Sequence, residues 1–338
     1  MDMNRLIVEL IEAERPFAVG LILSAEGSTP REAGVKAVLE ADGRLHGTLG
    51  GGAVEAEAQR RAVEACLSGR PIVFEVLLTS ADAADHEPIC GGRMRVLVDP
   101  TAGKNVDAYR QAAAAAARRK PGLLLTVVHT AEDVRTEVLW RPEGDPSGEQ
   151  ATLSEEGDVL TFSEPVIPRP LLMIVGGGHV GQALAVQADL LGFDLVVVDD
   201  RPEFTAPGLF PAGAETRCGD PAAELTAAPL GPDTYVVIVT RGHQHDAEAL
   251  RACLRRPVAY LGMIGSRRKV ALLRQSFLDA GWATGDEFDR VHAPIGLDIG
   301  AETVPEIAVS IAAELVAVRR QGASPGESPE SLRRRDAR

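Results

Sequence analysis

Aromatic side chains are scarce in this sequence, at 4% of 338 residues, so its core has to be assembled from Val, Leu, Ile and Ala. Cysteine is scarcer still. Cys66, Cys90, Cys218 and Cys253 are widely spaced and form no CxxC pair, which excludes a zinc ribbon and a disulfide framework. No uncharged apolar run reaches about 18 residues, the length a membrane-spanning helix needs. The opening MDMNRLIVELIEAERPF is interrupted by Asp2, Arg5, Glu9, Glu12 and Glu14. It lacks the apolar stretch of a signal peptide and reads as an amphipathic helix. These absences predict a cytoplasmic protein without a membrane span. Positive charge is the minority, with 35 Lys and Arg against 49 Asp and Glu and a net charge of −14. Such a field repels polyanions and argues against nucleic-acid binding or a polybasic membrane anchor. It leaves room for a small anionic ligand in a local basic pocket.

What is present, 45% hydrophobic and 25% charged residues, is the composition of a folded globular protein. At roughly 100–200 residues per domain, the length predicts about two domains. Helical spacing at 3–14 precedes a strand-like run at 17–24. Stretches 35–40 and 44–49 flank Asp42-Gly43 and read as a β-hairpin. Gly50-Gly51-Gly52 opens a helix at 53–67, a strand follows at 71–78, and a polar loop leads through Cys90-Gly91-Gly92 into a strand at 93–98. An Ala-rich helix at 108–120 ends in Arg118, Arg119 and Lys120, the charge sign that suits a helix C-terminus. Strands are expected at 123–128 and 134–140. Residues 141–170 then change character, running through an acidic SEEGD to the proline-stiffened EPVIPRP, and the domain junction is placed there. Beyond it, apolar strands at 171–175, 195–198, 235–239 and 258–261 alternate with helical stretches, the pattern of a parallel sheet with crossover helices. A last helix at 304–320 starts with Thr303-x-x-Glu306, a capping-box pattern. The Pro-, Ser- and charge-rich stretch at 321–338 is expected to be a disordered tail.

The C-terminal half carries the sharpest fold signal. LLMIV runs into Gly176-Gly177-Gly178-His179-Val180-Gly181, so G-x-G-x-x-G sits between a strand and a helix, and Asp199 closes the next strand. In a Rossmann-like fold Gly176 permits the tight turn and Gly178 lets backbone approach a pyrophosphate. Gly181 allows close helix packing, and Asp199 can bind a ribose hydroxyl, favouring NAD over NADP. Arg201 could reverse that preference. The pocket either binds NAD(P) or is structural, because fold does not dictate function. His179 is either a ligand contact in the first helical turn or a solvated surface residue. Thr240-Arg241-Gly242-His243-Gln244-His245-Asp246 follows another strand and lies where open parallel sheets bind ligands. Two residues apart on a helix, His243 and His245 point away from each other. An anion or substrate site is therefore favoured over a metal, and a capping role for Asp246 over both. Gly265-Ser266-Arg267-Arg268-Lys269 is either a second anion cradle or a solvated helix face.

In the N-terminal half the loops are informative. Gly50, Gly51 and Gly52 before a helix expose N–H groups that can cradle a phosphate, while Glu55 in the first turn competes with an anion there. Cys90, followed by Gly91 and Gly92, is a candidate soft-metal or sulfur-transfer thiol if its pKa is lowered, with Arg31 and Arg93 the cations that would lower it. Cys66 and Cys253 fit buried small hydrophobes better.

The segments GSTPREAGVKAV, GTLGGGAVEAEA, ICGGRMRV, LLMIVGGGHVG, VVDDRPE, YVVIVTRGHQHD, AYLGMIGSRRKV and HAPIGLDIGAETVPEIAVSIAAELVAVR resemble the XdhC/CoxI family over residues 5–320, least distinctively at 100–165. The resemblance implies an α/β chain with an N-terminal α+β XdhC/CoxI-type domain at 1–165 and a C-terminal Rossmann-like XdhC domain at 166–320. Family members are accessory proteins of xanthine dehydrogenase and related molybdenum hydroxylases. The resemblance implies binding of the molybdenum cofactor, support of its sulfuration by a cysteine desulfurase, and insertion into the apoenzyme by a chaperone that is a homodimer. The residues expected to serve are Gly50, Gly51, Gly52, Cys90, Gly91, Gly92, Gly176, Gly178, His179, Gly181, Asp199, Arg241, His243, Gly265, Ser266 and Arg267, with Cys90 the contact to molybdenum or the carrier of sulfur. Ala53 departs from the many members with Cys after the glycine triplet, which removes one thiol. The competing reading is an NAD(P)-dependent oxidoreductase with His243 or His179 as acid/base. Glycine loops around a cysteine in the N-terminal half are a feature such an enzyme does not need.

Overall fold

A computed structural model describes residues 2–78, 92–142 and 151–321; Cys90, Gly91 and the expected tail beyond residue 321 lie outside them. The chain divides after Pro168 into two units.

The first unit opens with helix α1 (Met3–Glu12), capped by Asp2, whose carboxylate accepts the N–H groups of Asn4 and Arg5. Strands β1 (Phe17–Glu26), β2 (Lys36–Glu40) and β3 (Leu45–Gly47) follow, then helix α2 (Gly52–Ser68) and strands β4 (Ile72–Leu78) and β5 (Gly92–Asp99). They form an antiparallel sheet in the order β3-β2-β1-β5-β4. Alternation along β1 sorts its side chains. Ala18 and Ile22 meet Val54, Ala58, Ala62 and Ala65 of α2, whose small residues let the helix lie close to the sheet. Phe17, Val19, Leu21 and Leu23 face the other way.

That second face is covered by α1, by helix α3 (Val106–Ala117) and by a sheet of strands β6 (Gly122–His129), β7 (Arg135–Arg141), β8 (Thr152–Glu156) and β9 (Val159–Val166), in the order β7-β6-β9-β8. The stretch 141–170, expected as a junction, thus contains a hairpin. Its acidic turn hid the alternation that buries Leu160 and Phe162 against Leu21, Leu23 and Leu97. Pro165 sits past the last residue paired with β8, where β9 has one neighbour.

The second unit alternates strand and helix: β10 (Leu171–Val175), α4 (His179–Leu190), β11 (Asp194–Asp199), β12 (Glu215–Cys218), α5 (Pro221–Ala227), β13 (Thr234–Ile238), α6 (His243–Cys253), β14 (Tyr260–Met263), α7 (Arg267–Asp279), α8 (Gly285–Asp289) and α9 (Val304–Gln321). The five strands are parallel in the order β12-β11-β10-β13-β14, the Rossmann-like arrangement, and the order reverses between β10 and β13. Leu172, Ile174, Leu195 and Val197 pack toward α4 and α9, while Met173, Val175, Val196 and Val198 pack toward α5, α6 and α7. Each such fully buried side chain contributes about 1.5–3 kcal/mol. β12 carries no apolar run, which is why periodicity missed it. Among the described residues no helix is long and apolar enough to cross a membrane.

Candidate functional site

In the first unit, two loops meet the start of a strand at one edge of the β3-β2-β1-β5-β4 sheet. A side chain at Gly92 would collide with the carbonyl of Ser28, and one at Gly50 would reach within 2.7 Å of Pro30 and 3.3 Å of Arg31. The loops after β1 and β3 and the start of β5 are therefore in contact, and Cys90 precedes Gly92 by two residues in the sequence. Arg31 is exposed and makes no ion pair among the described residues. The glycine cradle itself is filled from within. Glu55 accepts the N–H groups of Leu49 and Gly51, both at 3.0 Å, and the hydroxyl of Thr48. The Thr48 hydroxyl does most to hold its carboxyl below the ordinary value, with the amides of the loop adding to it against a smaller opposing effect of burial. Gly50 N–H goes to Thr48 Oγ1 at 3.0 Å. An incoming anion must displace Glu55.

In the second unit, the predicted residues occupy the carboxyl edge of the parallel sheet but not one pocket. A Cβ on Gly176 would strike the Val239 carbonyl, and one on Gly181 the carbonyl of Gly176, so both glycines serve the turn and the packing. Gly178 faces open space and caps α4 without a side chain. Asp199, 2% exposed, is committed internally. It accepts Gly177 N–H at 2.8 Å, Arg201 N–H at 3.0 Å and the Arg201 guanidinium at 2.8 and 3.0 Å. Burial alone would raise its pKa, but Arg201 and the amides outweigh burial and hold it lowered. Arg201 also stacks on Phe204, 3.7 Å from the ring centre. Arg241 reaches Asp200 at 3.2 Å across the point where strand order reverses. The cavity that Gly176, Asp199, Arg201, Thr240, Arg241 and His245 enclose measures about 10 Å³, room for one water.

His179 lies apart from that cavity, in an open depression with Gln182, Val186, Leu209 and Pro305. His243 is the first residue of α6. The expected cap at Asp246 is corrected by the structure: Gly242 is the N-cap, and Asp246 is fully buried, bound by Lys269 and the Thr240 hydroxyl. Lys269 therefore leaves the basic triplet and turns inward. Ser266 caps α7 by accepting Lys269 N–H at 3.2 Å, and Arg267 borders a separate pocket built by residues 294–301. Among the described residues, no three His, Cys, Asp or Glu side chains gather into a metal site. Cys253 is buried and its thiol pushed up to about 12 by burial.

Sequence reasoning missed Glu314. It is 3% exposed and accepts Tyr260 OH at 2.6 Å and Gly296 N–H at 2.8 Å, with His292 Nδ1 at 3.1 Å. The signal was available: one acid on the stripe Ile307, Ile311, Leu315, Val318 of α9.

Two family models match this chain. The XdhC Rossmann domain matches residues 172–315, and the XdhC and CoxI family matches residues 10–77. The chain belongs to the XdhC/CoxI family. Its relatives include the uncharacterized protein YqeB of Escherichia coli K12, 31% identical over 92% of this chain; the chain spans 45% of YqeB's length. A probable xanthine dehydrogenase subunit of Bacillus subtilis is 25% identical over 95% of this chain and 98% of that protein. The molybdenum cofactor insertion chaperone PaoD of Escherichia coli K12 is 26% identical over 93% and 87%. Among solved structures, a xanthine dehydrogenase from Bacillus halodurans superposes with a TM-score of 0.79 at 26% identity, covering 97% of this chain and 98% of that one. The XdhC/CoxI similarity therefore embraces both units, with the loops at 27–31 and 47–55 inside the N-terminal match and Gly176 to Arg267 inside the C-terminal one.

Proposed function

We propose that this chain is an accessory protein for maturation of xanthine dehydrogenase or a related molybdenum hydroxylase. It takes up the molybdenum cofactor as cargo, supports its sulfuration and delivers it to the apoenzyme. The observation that carries this reading is similarity along both units to a cofactor insertion chaperone, joined to the loops after β1 and β3 meeting the start of β5 beside Arg31, which is exposed and makes no ion pair among the described residues. The cargo carries a phosphate, a pterin and a thiophilic metal, and the chain offers matching chemistry. Arg31, in the first unit, supplies a cation. Cys90 supplies a thiol. Its thiolate attacks the outer sulfur of a cysteine desulfurase persulfide, takes that sulfur and releases the donor cysteine as a thiolate. The partners in this reading are the desulfurase, the apo-hydroxylase and a second copy of the chain. The dehydrogenase alternative asks for a ribose-binding carboxylate, and Asp199 is held by Arg201 and Gly177, which favours the chaperone.

The test is anaerobic purification followed by molybdenum and pterin analysis, with activation of an apo-hydroxylase assayed alongside. Wild type is expected to carry both and to activate the client. Cys90→Ala should melt like wild type and lose cofactor retention or activation. Equal values in both proteins would remove the thiol from the mechanism. Absence of cofactor and of activation in wild type would overturn the reading as a whole.

A further inference from the structure

The segment 292–301 contains no helix or strand, yet it is fixed on several sides. Glu314 of α9 anchors it through His292 and Gly296, and Tyr260 of β14 braces Glu314 from the sheet. Ser310 Oγ donates to the Leu297 carbonyl at 2.6 Å, and Leu297 N–H returns to the Ser310 carbonyl at 3.2 Å. A side chain at Gly296, where φ is +94°, would collide with Ser310. A buried carboxylate serving three donors is costly unless every donor is well placed, so this loop is a built wall.

Behind the wall lies a pocket of about 260 Å³, lined by Ile295, Ile299 and Ile307 and bordered by Arg267 and Asp298. The last two side chains are 85% and 76% exposed and stand 3.6 Å apart, an exposed pair that holds loosely. The volume falls just under the roughly 300–1,000 Å³ of ligand pockets, which suits one fused ring system and excludes a dinucleotide. Apolar walls take the faces of a flat ring. A carboxylate beside a guanidinium reads an edge on which two adjacent N–H donors neighbour a carbonyl. That edge is the 2-amino-4-oxopyrimidine of pterin and of guanine.

We propose that this pocket binds the 2-amino-4-oxopyrimidine edge of a pterin, with Asp298 accepting from the ring N–H and amine and Arg267 donating to the oxygen. The assignment rests on the cofactor reading above, which supplies a pterin as the cargo's ring system. The test uses the full chain and three free probes: pterin, lumazine, which replaces the amine by oxygen, and guanosine. Binding is followed by ring fluorescence and calorimetry.

Pterin should saturate. Lumazine should bind at least about tenfold more weakly, the scale of a lost charged hydrogen-bond pair. Asp298→Ala should weaken pterin by a similar factor and lumazine, which keeps only the ring N–H, by less, and Arg267→Ala should weaken both. Unaltered melting temperatures of these exposed-site variants show that the fold is intact. Equal affinity for pterin and lumazine, indifference of pterin to Asp298→Ala, guanosine binding without pterin binding, or no saturation at millimolar concentration would each overturn the assignment. Cofactor retained equally by wild type and Asp298→Ala, without free-pterin binding, removes the pocket and leaves the chaperone reading. Pterin binding by a protein that purifies without cofactor and activates no client does the reverse.

Discussion

Glu314 illustrates what one buried carboxylate does for its neighbours. Removing it in Glu314→Ala strands the Gly296 amide, the Tyr260 hydroxyl and His292 in the core, at a cost of about 3 kcal/mol. For a unit of this size that is a fall of roughly 6–12 °C in its Tm, measurable by calorimetry. Burial alone would raise the carboxyl's pKa, but the bonds from His292, Tyr260 and Gly296 outweigh it and hold the value below the ordinary 4.5. A depressed folded value means that the stabilisation is complete above that ordinary pKa and is lost as pH falls through the lowered one. Melts between pH 7 and pH 3 should therefore show an acid-side loss that Glu314→Gln reduces. Glu55 makes the opposite case at the glycine triplet. Glu55→Ala should cost about 1–2 kcal/mol and free the amides of Leu49 and Gly51. Inorganic phosphate should then raise the Tm of the variant more than that of wild type, and equal shifts would show that the freed amides take no anion.

At the scale of elements, the strand–glycine loop–helix unit from β10 to α4 was legible because Gly176, Gly177 and Gly181 each answer a backbone collision that sequence spacing encodes. The position of Asp199 at the end of β11 was legible for the same reason. Its engagement was not, because a bidentate grip by a residue two places along depends on Arg201 folding back over Phe204. The hairpin of β8 and β9 was masked by acidic and proline residues, and Lys269 was hidden in a run of cations that usually points to water. Of the candidate site, the loops could be named from glycine content, whereas which loops share a pocket needed the fold. Arg267 and Arg241 follow adjacent strands yet border different cavities. With Asp199 committed and about 10 Å³ left at the reversal of strand order, NAD and NADP should give no binding heat at millimolar concentration. A saturable isotherm with either would show that the Asp200–Arg241 contact opens.

At the scale of the molecule, each unit has hydrophobic clusters of its own. Residues 169–338 expressed alone should consequently melt cooperatively and, on the pterin assignment proposed above, bind pterin with the same affinity as the full chain. A non-cooperative transition would mean that the second unit depends on the first.

The order in which α9 arrives has a consequence for synthesis on the ribosome. The sheet from β10 to β14 is complete by Met263, but the helix that supplies Ser310 and Glu314 emerges last and packs beside α4, the first helix of its unit. Chains grow at about 5–20 residues per second and fold as segments become available. A nascent chain that stops before Val304 can assemble its strands but has nothing to hold Gly296 and Leu297 in place. On the pterin assignment proposed above, a chain truncated before Val304 should bind no pterin, whereas one that continues through α9 should, which fluorescence titration of the two purified products checks.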